Sequence, residues 1–283
     1  MPNVAVITDS ISCLPSDIIE RFQIHILPIN LYFGEKVYKD WIDITPSEAY
    51  EIFQKDPENF ATSAPSPGDC FGAYREASKR VKDILVVTVS SRLSMVYQSA
   101  QIAREQAKEE LPGTTIEVMD SYIATAGEGF VALAGARAAE EGKSLPEVVR
   151  AAEDVRGKVA VILVLDTIRY VYRSGRIPKV ASQAGSILNL RPLLTVKETV
   201  RFSGVVRSRE AGIERVIGVM RTKVGQNPVH VAVMHAYAPQ EAERLKERIA
   251  AEFDCRELWL SEFSPVMGYA CGTGTLGIAF YPD

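Results

Sequence analysis

The chain has 283 residues, 47% of them hydrophobic, and a formal net charge of −4 with a pI near 5.6. That length fits one large or two ordinary domains with an ample core, and no apolar run approaches a membrane span. An acidic balance argues against a general nucleic-acid binder. Three histidines and four scattered cysteines argue against a His-rich metal site or a C-x-x-C motif, and the cysteines read as ordinary cytosolic thiols.

The start of the chain lacks the basic region of a signal peptide, and residues 4–8 read as a strand. Residues 15–22 follow as a short helix, and 24–33 as extended chain with a turn at Gly34-Glu35. Thr45-Pro46-Ser47-Glu48 is a capping box with proline at the first helical position, so a helix runs on toward Lys55. Thr62-Ser63-Ala64-Pro65-Ser66 is a hydroxyl-rich loop, and Ser66-Pro67-Gly68-Asp69 repeats the capping pattern. Residues 84–89 are apolar, rich in β-branched side chains and without alternation, as in a buried parallel strand. They pass through Ser90-Ser91-Arg92-Leu93-Ser94 into a helix with Val96, Ala100, Ala103 and Ala107 at helical spacing. A strand at 115–119 precedes an Ala/Gly-rich helix ending at Gly142, and Ser144-Leu145-Pro146-Glu147 opens another.

A different section begins at 159–165. It reads as strand, short helices and an extended pair (193–196 and 202–206) resembling a hairpin. A helix, a strand at 229–234, a helix at 239–253 and strands at 256–260 and 278–280 complete it. The expected fold class is therefore α/β with two α/β domains. Residues 1–156 form one, with a mostly parallel sheet and helices on both faces. Residues 157–283 form the other, with a mixed or antiparallel sheet and helices.

Three strands of the first half leave through Thr8-Asp9-Ser10, Ser90-Ser91 and Asp120-Ser121. Ligands of open α/β sheets sit beyond the carboxyl ends of the strands, so these exits would share one rim. Helix capping is the simpler role for Asp9 and Asp120. The Ser90–Ser94 turn joins hydroxyls to the free N–H groups and positive dipole end of a helix start, which suits an anion. A plain N-cap at Ser94 is the competing reading. The Thr62–Ser66 cluster would add neutral donors. Gly272-Thr273-Gly274-Thr275-Leu276-Gly277 spells G-x-G-x-x-G but is followed by a strand, which excludes a dinucleotide fingerprint and leaves close backbone approach as its use. No G-x-S-x-G elbow is present, and His235 is the one base placed to serve Ser94 in a hydrolase or transferase. From Asp166 to Arg221 there are eleven Lys/Arg against four Asp/Glu, which leaves the rest of the chain at −11. Arg169, Arg173 and Arg176 recur there at helical spacing, either as a solvated face or as a docking patch for an acidic partner.

In order and spacing these motifs resemble the DegV family, bacterial fatty-acid-binding proteins of the FakB type. The resemblance rests on Ile7-Thr8-Asp9-Ser10, Thr62-Ser63-Ala64-Pro65-Ser66, Ser90-Ser91-Arg92-Leu93-Ser94, Ser174-Gly175-Arg176-Ile177, residues 185–192 and Pro265-Val266-Met267-Gly268. It implies a cytoplasmic, non-catalytic carrier whose C-terminal domain binds lipid, with no metal and no cofactor besides the bound fatty acid. A long-chain fatty acid would run into an apolar tunnel, its carboxylate held by Thr62 and Ser94 with Ser63 beside them. A partner fatty-acid kinase would phosphorylate the carboxylate to an acyl phosphate, docking at Arg176 and Arg173. No nucleic acid and at most transient membrane contact are implied. The chain departs from the pattern at Met95, where the family commonly has glycine, and at Ala270, where it commonly has histidine. The alternatives are the Ser94–His235 hydrolase or transferase and a regulatory module for another lipid acid.

Overall fold

The computed structural model describes residues 3–167, 175–176 and 190–283. The first half runs β1 (Val4–Asp9), α1 (Ser16–Phe22), β2 (His25–Leu27), β3 (Asn30–Phe33), β4 (Lys36–Lys39), α2 (Pro46–Lys55), β5 (Phe60–Ser63), α3 (Pro67–Ser78), β6 (Asp83–Thr88), α4 (Val96–Glu110), β7 (Thr115–Asp120), α5 (Ala126–Glu140) and α6 (Leu145–Lys158). The second half contributes β8 (Ala160–Val164), β9 (Arg191–Lys197), β10 (Thr199–Val206), α7 (Arg209–Val224), β11 (Val229–His235), α8 (Pro239–Glu252), β12 (Cys255–Glu262), α9 (Pro265–Cys271) and β13 (Leu276–Pro282).

The parallel sheet has the order β2-β1-β6-β7, with Thr8 opposite Val87 and Thr88 opposite Asp120. Leu85, Val86 and Val87 are wholly buried, as the unbroken apolar run requires of a strand covered on both faces. A six-stranded mixed sheet, β10-β9-β8-β13-β11-β12, pairs β11 with β12 in parallel and its other neighbours antiparallel. The capping boxes at Thr45, Ser66 and Ser144 all form, and the buried stripe of α4 is Val96, Ala100, Ala103 and Ala107. Leu85, Phe130, Leu163 and Met234 belong to one apolar cluster, so α5 packs between the parallel and mixed sheets.

Two elements depart from the sequence expectation. Thr62 and Ser63, read from the sequence as the start of a loop, instead end β5 of a three-stranded antiparallel sheet, β4-β3-β5, with Leu31 opposite Thr62. Four residues with two hydroxyls carry no strand period of their own. Pairing with β3 and the packing of the Phe60 ring, tilted, against Phe33 (4.8 Å between ring centroids) order them. The second departure is α9, whose start is capped by the Ser264 hydroxyl. Its sequence, Pro-Val-Met-Gly-Tyr-Ala-Cys, is too short to show a helical period.

The glycine run after α9 turns the chain into β13, so a helix precedes it and a strand follows. Gly274 sits at φ +81°, and a side chain there would press on the Asp166 carboxylate. The β9–β10 hairpin turns at Glu198, tighter than the 197–201 connection expected. Among the described residues, no helix is long and apolar enough to cross a membrane.

Candidate functional site

The carboxyl ends of β1, β6 and β7 do lie on one rim, because the three strands are parallel neighbours. Each small polar exit has a structural task there. Asp9 accepts the Ile11 and Val89 N–H groups at 3.0 and 2.9 Å. Asp120 accepts from Tyr122 N and Ser91 N, so it orders the two loops and not a helix start. Ser90 N–H donates to Ile123 O, and its hydroxyl donates to Glu198 O at 2.6 Å, tying the turn to the β9–β10 hairpin.

Beside this rim is a cavity of about 460 Å³, within the ~300–1,000 Å³ usual for ligand sites. Ile11 and Val89 from the rim, Ile29 and Ala64 near the small sheet, Leu163, Val196 and Val200 from the mixed sheet, and Val266 and Met267 of α9 supply much of its apolar wall. Thr62, Ser63, Ser94, Ser99 and Arg176 supply polar atoms to the same cavity. Residues 62 and 94 are thus brought together by β5 and by the β6–α4 turn, as the sequence reading expected.

Ser94 is not the helix cap. Its N–H donates to Ser90 O at 3.2 Å, α4 begins at Val96, and the first ladder bond runs from Ser99 N to Met95 O. Among the described residues the hydroxyls of Thr62 and Ser94 have no hydrogen-bond partner, so both are free to serve a ligand. The Ser63 hydroxyl already meets Asn30 Nδ2 (3.3 Å) and Tyr32 OH (3.1 Å). Arg176 is exposed, lines the cavity and donates from Nε to Leu93 O at 3.4 Å. Sequence reasoning placed it on a docking surface only. No local signal could have shown that the chain returns to the Ser94 turn. Arg169 and Arg173 lie outside the described residues. At the departures from the family pattern, Met95 is 61% exposed at the cavity and Ala270 lines it. Tyr269, also in the lining, packs its ring at a tilt against Phe60, 5.1 Å between centroids.

His235 is elsewhere. It ends β11, is buried, and takes the Ala238 N–H on Nδ1 at 3.3 Å. Burial lowers its pKa to about 4. It is not part of the cavity lining, and no hydrogen bond joins it to Ser94. Among the described residues no group of three or more His, Cys, Asp or Glu is arranged to hold a metal ion.

The fold and cavity define an α/β protein with a mostly apolar chamber that, among the described residues, carries unpartnered hydroxyls and the Arg176 guanidinium. Residues 3–283 match the family model described as "Uncharacterised protein, DegV family". The chain belongs to the DegV family. It is 30% identical over 279 residues to a DegV domain-containing protein of Clostridium perfringens, covering 98% of each chain. It is also similar to a solved DegV family protein of Thermus thermophilus described by its fatty-acid binding (31% identity, TM-score 0.87, all of both chains covered). The structure of DegV, a fatty-acid-binding protein of Bacillus subtilis, superposes over the whole of both chains with a TM-score of 0.90 at 27% identity.

Proposed function

We propose that this protein binds a long-chain fatty acid in the cavity, with the carboxylate on the Thr62 and Ser94 hydroxyls and Ser63 beside them. The observation that carries the reading is two unpartnered hydroxyls facing one mostly apolar chamber of about 460 Å³. The fatty-acid binding described for the Thermus thermophilus and Bacillus subtilis proteins supports it. Burying ~14 methylenes contributes roughly 11 kcal/mol before ordering costs. Each hydrogen bond to the charged head adds about 1.5–3 kcal/mol. The tail therefore dominates affinity and the hydroxyls set its orientation.

The protein then acts as a non-catalytic cytoplasmic carrier. It presents the bound acid to a partner kinase that forms the acyl phosphate, docking through Arg176 and Arg173. Residues 1–156 and 157–283 are proposed as its two domains. In support, the parallel sheet is drawn wholly from residues 4–120 and the mixed sheet from 160–282. Native mass spectrometry of the purified chain tests the binding reading, with a co-purified fatty acid as the expected result. A chain that emerges empty and takes up none of a range of offered acids refutes it. Hydrogen exchange resolving two cooperative units, divided near residue 156, tests the domain proposal.

A further inference from the structure

Three carboxyl groups are fully buried beside the cavity: Asp9 at the end of β1, Asp40 after β4, and Glu128 in the first turn of α5. Such groups are rarely buried without a cation, yet among the described residues no lysine, arginine or histidine faces any of the three. Their partners are hydroxyls, backbone N–H groups and, for Asp9 and Glu128, each other's carboxyls. Glu128 accepts from Thr8 Oγ1 at 3.0 Å and lies against Asp9. Asp40 accepts from Ser264 Oγ at 2.6 Å and faces Ser10. Glu128 Oε2 and Asp40 Oδ1 have no hydrogen-bond partner among the described residues.

The network ends at the cavity wall. Asp9 holds the N–H groups of Ile11 and Val89. Ser10 holds that of Ile29 at 3.2 Å, and Ser264 that of Val266 at 3.3 Å. All four of those residues line the cavity, and they come from four separate segments. One buried cluster thus sets the spacing of the segments that enclose the cavity.

We infer that Asp9, Asp40 and Glu128 are positioning residues of the lipid site, and that the protonation of this cluster sets how firmly the cavity holds its ligand. The inference rests on the lipid reading above. Burial raises Asp9 to about 6 and Asp40 to about 7, and burial beside Asp9 holds Glu128 well above its ordinary carboxyl value. Among the described residues the other titratable groups facing the cluster are Cys13, Cys70 of α3 (through Asp9) and Tyr50 of α2 (through Asp40). Burial raises all three and keeps them protonated. Tyr50 in turn faces Glu262 of β12 and Cys271 of α9, both raised by burial. None supplies a compensating positive charge.

Ionising Asp40 beside Asp9 therefore requires water or a shift of the Ser264 cap. The Ser264 cap holds Val266 of the cavity wall, so an acyl tail packed on that wall opposes the shift, and ligand and proton favour each other's binding. Affinity falls as pH rises through 7. If the ligand raises Asp40 by one further pKa unit, the loss across the transition is about tenfold.

The test uses the full chain and hexadecane-1-sulfonate, whose head group stays charged throughout. Its dissociation constant is measured between about pH 5.5 and 8.5, a range spanning both raised groups. The expected result is a roughly tenfold weakening with rising pH, abolished in Asp40→Asn, which keeps an acceptor for Ser264. Ser264→Ala removes a donor to the Asp40 carboxylate and should move the transition to higher pH. It serves as the second variant if Asp40→Asn does not fold. A flat wild-type profile, or an Asp40→Asn profile as steep as wild type, overturns the inference and leaves the lipid reading standing. A wild-type chain that binds neither the sulfonate nor palmitate at any pH overturns both.

Discussion

Replacing Thr62 by valine and Ser94 by alanine removes two cavity hydroxyls that have no hydrogen-bond partner among the described residues. Neither substitution strands a protein donor or acceptor, so stability should change by no more than about 0.5 kcal/mol. The binding cost is different. Each hydrogen bond to a carboxylate contributes about 1.5–3 kcal/mol, which converts to roughly tenfold or more in Kd. Single variants should therefore bind palmitate about tenfold more weakly, and the pair about a hundredfold. Binding persists in the pair, because the tail term of roughly 11 kcal/mol is untouched. Displacement of a fluorescent fatty acid measures these constants, with hexadecanol as the neutral control. The alcohol makes only neutral hydrogen bonds, about 0.5–1.5 kcal/mol each, and should lose less. Unchanged palmitate affinity in the pair refutes the head-group assignment. Equal losses for acid and alcohol would show that the substitutions altered the shape of the cavity instead.

Other perturbations test other parts of the argument. Ala124 is 2% exposed in the cavity wall. Ala124→Phe should fill the chamber and cut palmitate uptake at least tenfold, the effect of losing about two buried methylenes; undiminished uptake would place the tail elsewhere. A methyl group on Gly268 would overlap the ring of Tyr50, which is buried and donates to Phe263 O at 3.1 Å. Gly268→Ala should therefore destabilise the fold by about 1–3 kcal/mol in urea titration, and an unchanged midpoint would show that α9 is loosely seated. Arg176→Gln should reduce kinase-dependent acyl-phosphate formation about tenfold, as loss of a docking hot spot does, while the chain still takes up fatty acid. Full acyl-phosphate formation would remove Arg176 from the docking surface.

Local sequence carried much of the framework. The capping boxes at Thr45, Ser66 and Ser144 depend on residues three apart, and they form as their order dictates. The buried run before Ser90 needs no partner to be read as a central strand, since its apolar character is continuous. The motifs of the Thr62 and Ser94 segments also identified the pair that shares the cavity.

What the local pattern could not carry is every property that depends on a distant partner. Thr62 lies on a strand because β3 pairs with it. The turn at Ser94 is closed by Ser90 and clasped by Glu198, so the hydroxyl that reads as a helix cap is free. Asp9 read as a simple capping residue. Only packing shows it to be fully buried against Glu128, holding Val89 across 80 positions of sequence. Helix starts and strand periods are written within a few residues. The burial of a carboxyl, the freedom of a hydroxyl and the return of Arg176 to Leu93 are long-range facts, decided when the sheets and α9 close around the cavity.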